Sequence, residues 1–158
     1  MHQPELSSLY QELILEHYRR PRNKGDLPGV TAEAHVHNPV CGDEIHLRIR
    51  VEDGRITAAR FTGNGCAISQ ASVSMMTTLL EGCALQEAGD IAARFVEMMH
   101  GDEEAGADQA LGDLRALRGV SRFPVRIKCA LLGFDALRSA LDSSARENAG
   151  PGGEGSSP

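Results

Sequence analysis

Hydrophobic positions near the start of the chain recur at helical spacing. Leu6, Leu9, Tyr10, Leu13 and His17 share one face, which predicts an amphipathic helix over 6–20. Pro21 ends it, and Arg22-Asn23-Lys24-Gly25 reads as a turn. Strand alternation follows. Val30, Ala32, Ala34 and Val36 fall on one face; Glu33, His35 and His37 fall on the other. Ile45, Leu47, Ile49 and Val51 alternate with His46, Arg48, Arg50 and Glu52. Asp53-Gly54 is a hairpin turn signal, and 56–61 returns as a third strand.

The helical period then resumes. Ile68, Ser72, Met75 and Leu79 mark one face of a helix over 66–81, stopped by Gly82. A shorter helix is expected over 90–99, with Ile91, Phe95, Met98 and Met99 as its core candidates. Residues 101–108 read as an acidic connection, with Asp102-Glu103-Glu104 a solvated loop. Leu111, Leu114 and Leu117 suggest another short helix, closed by Gly119. Ile127, Leu131, Phe134, Leu137 and Leu141 form the stripe of the last helix, opened by Pro124. Strands first and helices after predict an α+β fold: a three-stranded antiparallel sheet with helices packed on one face. A single domain is expected over 1–142, with a Ser/Gly/Pro-rich disordered tail over 143–158.

Length and charge narrow the function classes. The chain has 158 residues, enough for one full hydrophobic core. A net charge of −6 argues against a nucleic-acid partner and against an anionic membrane surface. No apolar run is long enough to span a bilayer. The opening MHQPELSSLYQELI lacks the pattern of a signal peptide, so a cytoplasmic location is expected. Thiols stay reduced there, and the 4 cysteines read as ligands, nucleophiles or core residues before disulfides.

Three of those cysteines sit at element edges. Cys41-Gly42-Asp43 occupies a Pro/Gly loop just before a strand. Cys66 follows Gly63-Asn64-Gly65 where a helix begins, and Cys129 lies just inside another helix. Cys66 and Cys129 each lie two residues from their helix's apolar stripe, a rotation of about 200° on a helix, so both should point away from the core. Their positions in the first turn or two of each helix favour thiolate. Cys41, Asp43, Cys66 and Cys129 thus read as one S,O,S,S ligand set for zinc or an iron cluster, with ordinary buried cysteines the competing reading. Carboxylate is a harder, weaker partner for such a cluster than thiolate and would leave it labile. Cys83 reads as a half-buried free thiol, and His17 as a satisfied core histidine. His35 and His37 read as surface or hydrogen-bonded histidines ahead of ligands. Arg115, Arg118, Arg122, Arg126 and Lys128 read either as a solvated face or as a basic rim for the thiolates; Lys128 adjoins Cys129.

At these residues the chain resembles the U-type iron–sulfur cluster assembly proteins, the IscU, NifU N-domain and SufU family. LYQELILEHYRRPRNKG is similar to the family's opening helix and turn, and HNPVCGDEIHLRIRVEDGRI to its first ligand loop and hairpin. GNGCAISQASVSMM and FPVRIKCALLGFDAL resemble the helices of the second and third ligand cysteines. The SufU branch fits best. Lys128 stands where IscU scaffolds carry histidine, residues 101–119 suit the SufU insertion, and the chaperone wording L-P-P-V-K is absent.

The resemblance implies zinc on Cys41, Asp43, Cys66 and Cys129, and the basic-rim reading adds Lys128 and Arg126 in support. It implies a pyridoxal-phosphate cysteine desulfurase of the SufS kind as partner, whose histidine replaces one cysteine on the zinc. Cys41 would then accept sulfur as a persulfide and pass it to a downstream assembly complex. Such a protein is at most a sulfurtransferase. The alternatives are a scaffold that builds a [2Fe-2S] cluster on the same ligands, with iron in place of zinc, and a purely structural zinc domain. Asp43 disfavours the last, because structural zinc sites rest mainly on Cys and His.

Overall fold

The alternating stretch forms the expected meander. In the computed structural model, which describes residues 10–153, the sheet has the order β1 (Ala32–Asn38), β2 (Asp43–Glu52), β3 (Arg55–Asn64), antiparallel throughout. Ala34 lies opposite Leu47, and Leu47 opposite Phe61, so the apolar set is in register across all three strands. Ile45, Leu47, Ile49, Ile56 and Phe61 are fully buried on that face. Asp53 and Gly54 turn the β2–β3 hairpin with φ of 55° and 76°, the left-handed pair that a tight two-residue turn requires.

Helices cover the apolar face only. They are α1 (Tyr10–Arg19), α2 (Ala67–Leu80), α3 (Leu85–Met99), α4 (Glu103–Gly106) and α5 (Pro124–Gly153), with a 3₁₀ stretch over Gln109–Arg122. The expected helix positions Leu6 and Leu9 lie outside the described residues. Helix α5 packs on β1 and β2, α2 packs on β3, and α1 lies against α2. Phe95 of α3 stacks on Phe134 of α5 with centroids 4.6 Å apart, which ties the outer helix to the central pair. No helix among the described residues is long and apolar enough to cross a membrane.

Helix α2 differs from the amphipathic expectation, because most of it is buried, with Thr78 its one exposed residue. Ser69, Gln70, Ser72, Ser74 and Thr77 are buried along with Val73, Met75 and Met76. Its serines and Thr77 bond within the protein instead of to water, whereas Gln70 Oε1 is buried without a hydrogen-bond partner. Ser72 Oγ donates to the Ala130 carbonyl of α5 at 2.7 Å. Ser74 Oγ accepts the Arg22 N–H at 2.8 Å and meets His17 Nδ1 at 2.8 Å. His17 is fully buried and also reaches Asp113 at 3.0 Å, so it is the satisfied core histidine that its position suggests.

Four boundaries also differ. Helix α3 starts at Leu85, because the Glu87 carboxylate reaches back to accept the Ala84 N–H at 2.9 Å and caps it early. The acidic connection contains α4, whose first N–H groups bond the Asp102 carboxylate at 2.9 and 3.2 Å. The helix expected around 111–117 is a longer 3₁₀ stretch kinked at Gly112, with φ 52° and ψ −131°, and it ends at Arg122 instead of Gly119. Helix α5 runs to Gly153, into the segment expected as a disordered tail. The Ala, Arg and Glu of 145–149 favour helix, whereas Gly150 and Pro151, which the helix also includes, do not.

Candidate metal centre

The four candidate ligands gather at one end of the sheet. The β1–β2 connection spans 39–42, between the paired residues Asn38 and Asp43. The Asn38 carbonyl accepts the Cys41 N–H at 3.2 Å and the Gly42 N–H at 2.8 Å, while its side-chain oxygen accepts the Val40 N–H at 3.2 Å. Gly42 completes the turn at φ 76°, where any other residue is strained. Cys41 is thereby held at the surface. Sequence reasoning missed Asn38; an Asn two residues before a turn residue is a recognisable Asx-turn signal.

Asp43 begins β2 and faces inward at 1% exposure. Its Oδ1 accepts the Cys66 N–H at 2.9 Å, and its Oδ2 lies 3.6 Å from Cys66 Sγ. No Lys or Arg pairs with it among the described residues. A buried carboxylate without a cation is costly, and a bound divalent ion would supply the missing charge. Gly65 makes the approach of Asp43 possible: a Cβ there would stand 2.6 Å from Asp43 Oδ1 and 2.6 Å from Ser69 Oγ. Cys66 is the N-cap residue of α2, half-buried, with extended backbone.

Cys129 arrives from the second turn of α5 and is 1% exposed. It does not avoid the core as its helix position suggests. The face turned away from its own stripe meets the ligand loop, because α5 packs on β1 and β2, the two strands that the loop joins. Its Sγ lies 3.3 Å from Cys41 Sγ and 3.9 Å from the Val125 carbonyl. All four cysteines are free thiols. The ligand atoms of Cys41, Asp43 and Cys129 lie within 4.8 Å of one another, and Cys66 joins them through Asp43. Separations of 3.3 and 3.6 Å approach the edge of a tetrahedral zinc site, about 3.4–3.8 Å for oxygen and sulfur donors.

Without an ion, the electrostatics oppose thiolate at Cys129. Burial pushes its thiol well up, and hydrogen bonds with Cys41 and Asp43 and the nearby Cys66 push it further the same way. The expected help from the helix N-terminus is outweighed. Cys83 stands apart, half-buried, donating to the Leu79 carbonyl at 3.0 Å, with burial again raising its thiol. The supporting residues do not touch the cluster: Lys128 and Arg126 are exposed, and their side chains make no hydrogen bond or ion pair among the described residues. Arg115 and Arg118 point elsewhere, to the carbonyls of Gly112 and Gly106 at 3.0 and 3.4 Å.

The family model of the NifU-like N terminal domain matches residues 9–143, which include every ligand candidate. The chain belongs to that family. Among family members, the zinc-dependent sulfurtransferase SufU of Bacillus subtilis is 42% identical over 136 residues, 86% of this chain and 91% of that protein. The iron–sulfur cluster assembly scaffold protein IscU of Streptococcus pyogenes is also 42% identical, over 89% of this chain and 87% of its own length. A candidate SUF-system scaffold protein of Fervidobacterium islandicum has a solved structure with a TM-score of 0.75 at 29% identity, covering 89% of this chain and 99% of that one. The NifU-like N-terminal protein of Brucella abortus shares the fold at a TM-score of 0.80, covering 90% of this chain and 99% of that one at 24% identity.

Proposed function

We propose that this chain works in iron–sulfur cluster assembly as a sulfur acceptor, with Cys41 receiving sulfur from a cysteine desulfurase. The observation that carries the reading is the contrast within the site. Cys41 is exposed on a short loop, while its neighbours Asp43 and Cys129 are buried and fixed on β2 and α5. One sulfur can be presented to a partner while the others stay in place. The name of the Bacillus subtilis relative supports sulfur transfer with zinc.

The donor set fits zinc. Cys41, Asp43, Cys66 and Cys129 would hold it, and bound zinc would keep the thiols deprotonated yet shielded. Asp43 and Cys129 are themselves buried, each 1% exposed. The Cys41 thiolate then attacks the terminal sulfur of the desulfurase persulfide. A new S–S bond forms on Cys41, the old S–S bond breaks, and the desulfurase cysteine leaves as thiolate, with no net oxidation. A downstream assembly complex would take the sulfur from Cys41. The exposed Lys128 and Arg126 lie on the same end of α5 and would meet an acidic partner surface there.

A second reading has the name of the Streptococcus pyogenes relative behind it: the same ligands hold a [2Fe-2S] cluster as cargo. Metal analysis combined with a desulfurase turnover assay separates the two. Expected are one zinc per chain and faster turnover, with stimulation lost in Cys41→Ala while the fold persists by circular dichroism. Zinc without stimulation would sink the acceptor reading. An anaerobically reconstituted cluster that passes to an apo-ferredoxin would favour the scaffold.

A further inference from the structure

The outer, polar face of the sheet holds a second constellation of ligand-type side chains. His35 and His37 are two residues apart on β1 and so share that face. Glu44 lies directly opposite His37 on β2. The Nε2 atoms of both histidines converge on one oxygen of Glu44, at 3.4 Å from His35 and 3.5 Å from His37. All three ligand atoms lie within 4.8 Å of one another.

We infer that His35, His37 and Glu44 form a second metal site, for a borderline divalent transition-metal ion such as Zn²⁺. The spacing agrees with tetrahedral coordination, in which N and O donors at about 2.0–2.2 Å from the ion sit roughly 3.4 Å apart. Two imidazoles and a carboxylate suit zinc, copper or nickel, whereas calcium and magnesium demand more oxygens. The side chains are 48%, 60% and 38% exposed, so an ion enters from solvent and keeps water in its open position. His46 is a wall of the site and not a ligand. It stacks on His35 at 5.3 Å, and both its nitrogens are engaged, Nδ1 by Arg48 at 3.2 Å and Nε2 by Glu33 at 2.7 Å. Such outer contacts hold a ligand ring in orientation.

The site is separate from the cysteine cluster. Asp43 and Glu44 are successive residues of β2, so their side chains leave opposite faces. The ion would clamp β1 to β2 beside the 39–42 connection that carries Cys41.

Calorimetric Zn²⁺ titration of the tag-free chain tests this, after one equivalent has filled the cysteine cluster. A further equivalent is expected, absent in His35→Ala/His37→Ala and weakened at least tenfold in Glu44→Gln, with the first equivalent retained in both. The further event must persist in Cys41→Ala/Cys66→Ala/Cys129→Ala, so failure of the cysteine cluster remains distinguishable. No second event, or one unchanged in the double histidine variant, overturns the assignment.

Discussion

Asp43 grips Cys66 at two points: one carboxylate oxygen accepts the Cys66 N–H at 2.9 Å, and the other lies 3.6 Å from its sulfur. The start of β2 is thereby fixed to the start of α2, and a ligand candidate doubles as a helix-capping group. Because the carboxylate is buried, charge and hydrogen bonding at this position separate experimentally. Asp43→Asn keeps an acceptor for the Cys66 N–H but removes the charge. Zinc affinity by chelator competition should fall by more than the roughly 10–100-fold that outer-shell changes cost. An unchanged affinity would remove Asp43 from the ligand set.

Gly65 is required by the same contact. Ala at this position would place a methyl 2.6 Å from both Asp43 Oδ1 and Ser69 Oγ. Gly65→Ala should destabilise the fold by about 1–3 kcal/mol and weaken zinc binding, since the carboxylate must retreat. Thermal melts with and without zinc measure both effects. A variant that melts normally and binds zinc normally contradicts the close approach.

Protonation of Cys129 gives the site a pH dependence. Burial holds its thiol above the ordinary range, so the ion-free fold keeps a proton there that binding must displace. Apparent zinc affinity should therefore rise with pH, by up to about tenfold per pH unit for each proton released. The ion-free protein should behave in the opposite sense. The folded thiol is raised, so its stabilising contribution is complete below the unfolded value of about 8.5 and declines as pH climbs above it. Urea melts of zinc-free protein at neutral and alkaline pH check the sign, with Cys129→Ala as the comparison that flattens the difference.

His17 joins three segments through its ring. It meets Ser74 at 2.8 Å, Asp113 at 3.0 Å and the Arg22 guanidinium at 2.8 Å, with no exposure. His17→Ala leaves Ser74 short of a partner and opens a cavity between α1 and α2. A loss of about 2–4 kcal/mol in urea denaturation is expected, with zinc stoichiometry unchanged. A loss below about 1 kcal/mol would mean the network relaxes without cost.

Much of this molecule was legible in the chain itself. Two-residue alternation in 30–61 and the Asp53-Gly54 turn determine the meander, because a one-residue slip would expose Ile45, Leu47 and Ile49. Gly and Pro beside the cysteines mark Cys41, Asp43, Cys66 and Cys129 as element edges. What pattern could not supply is what lies across from each face. Ser74 lies off the Ile68, Ser72, Met75 and Leu79 stripe of α2, and nothing in the pattern shows that His17 and the Arg22 N–H supply its hydrogen-bond partners. Cys129 looks turned away from the core until α5 packs on β1 and β2 and that side of the helix meets Cys41. His35 and His37 look like ordinary surface histidines until strand pairing sets Glu44 between them. Periodicity fixes which residues share a face, since it follows from local backbone geometry. Only the packing of distant segments decides whether that face meets water, a helix or an ion.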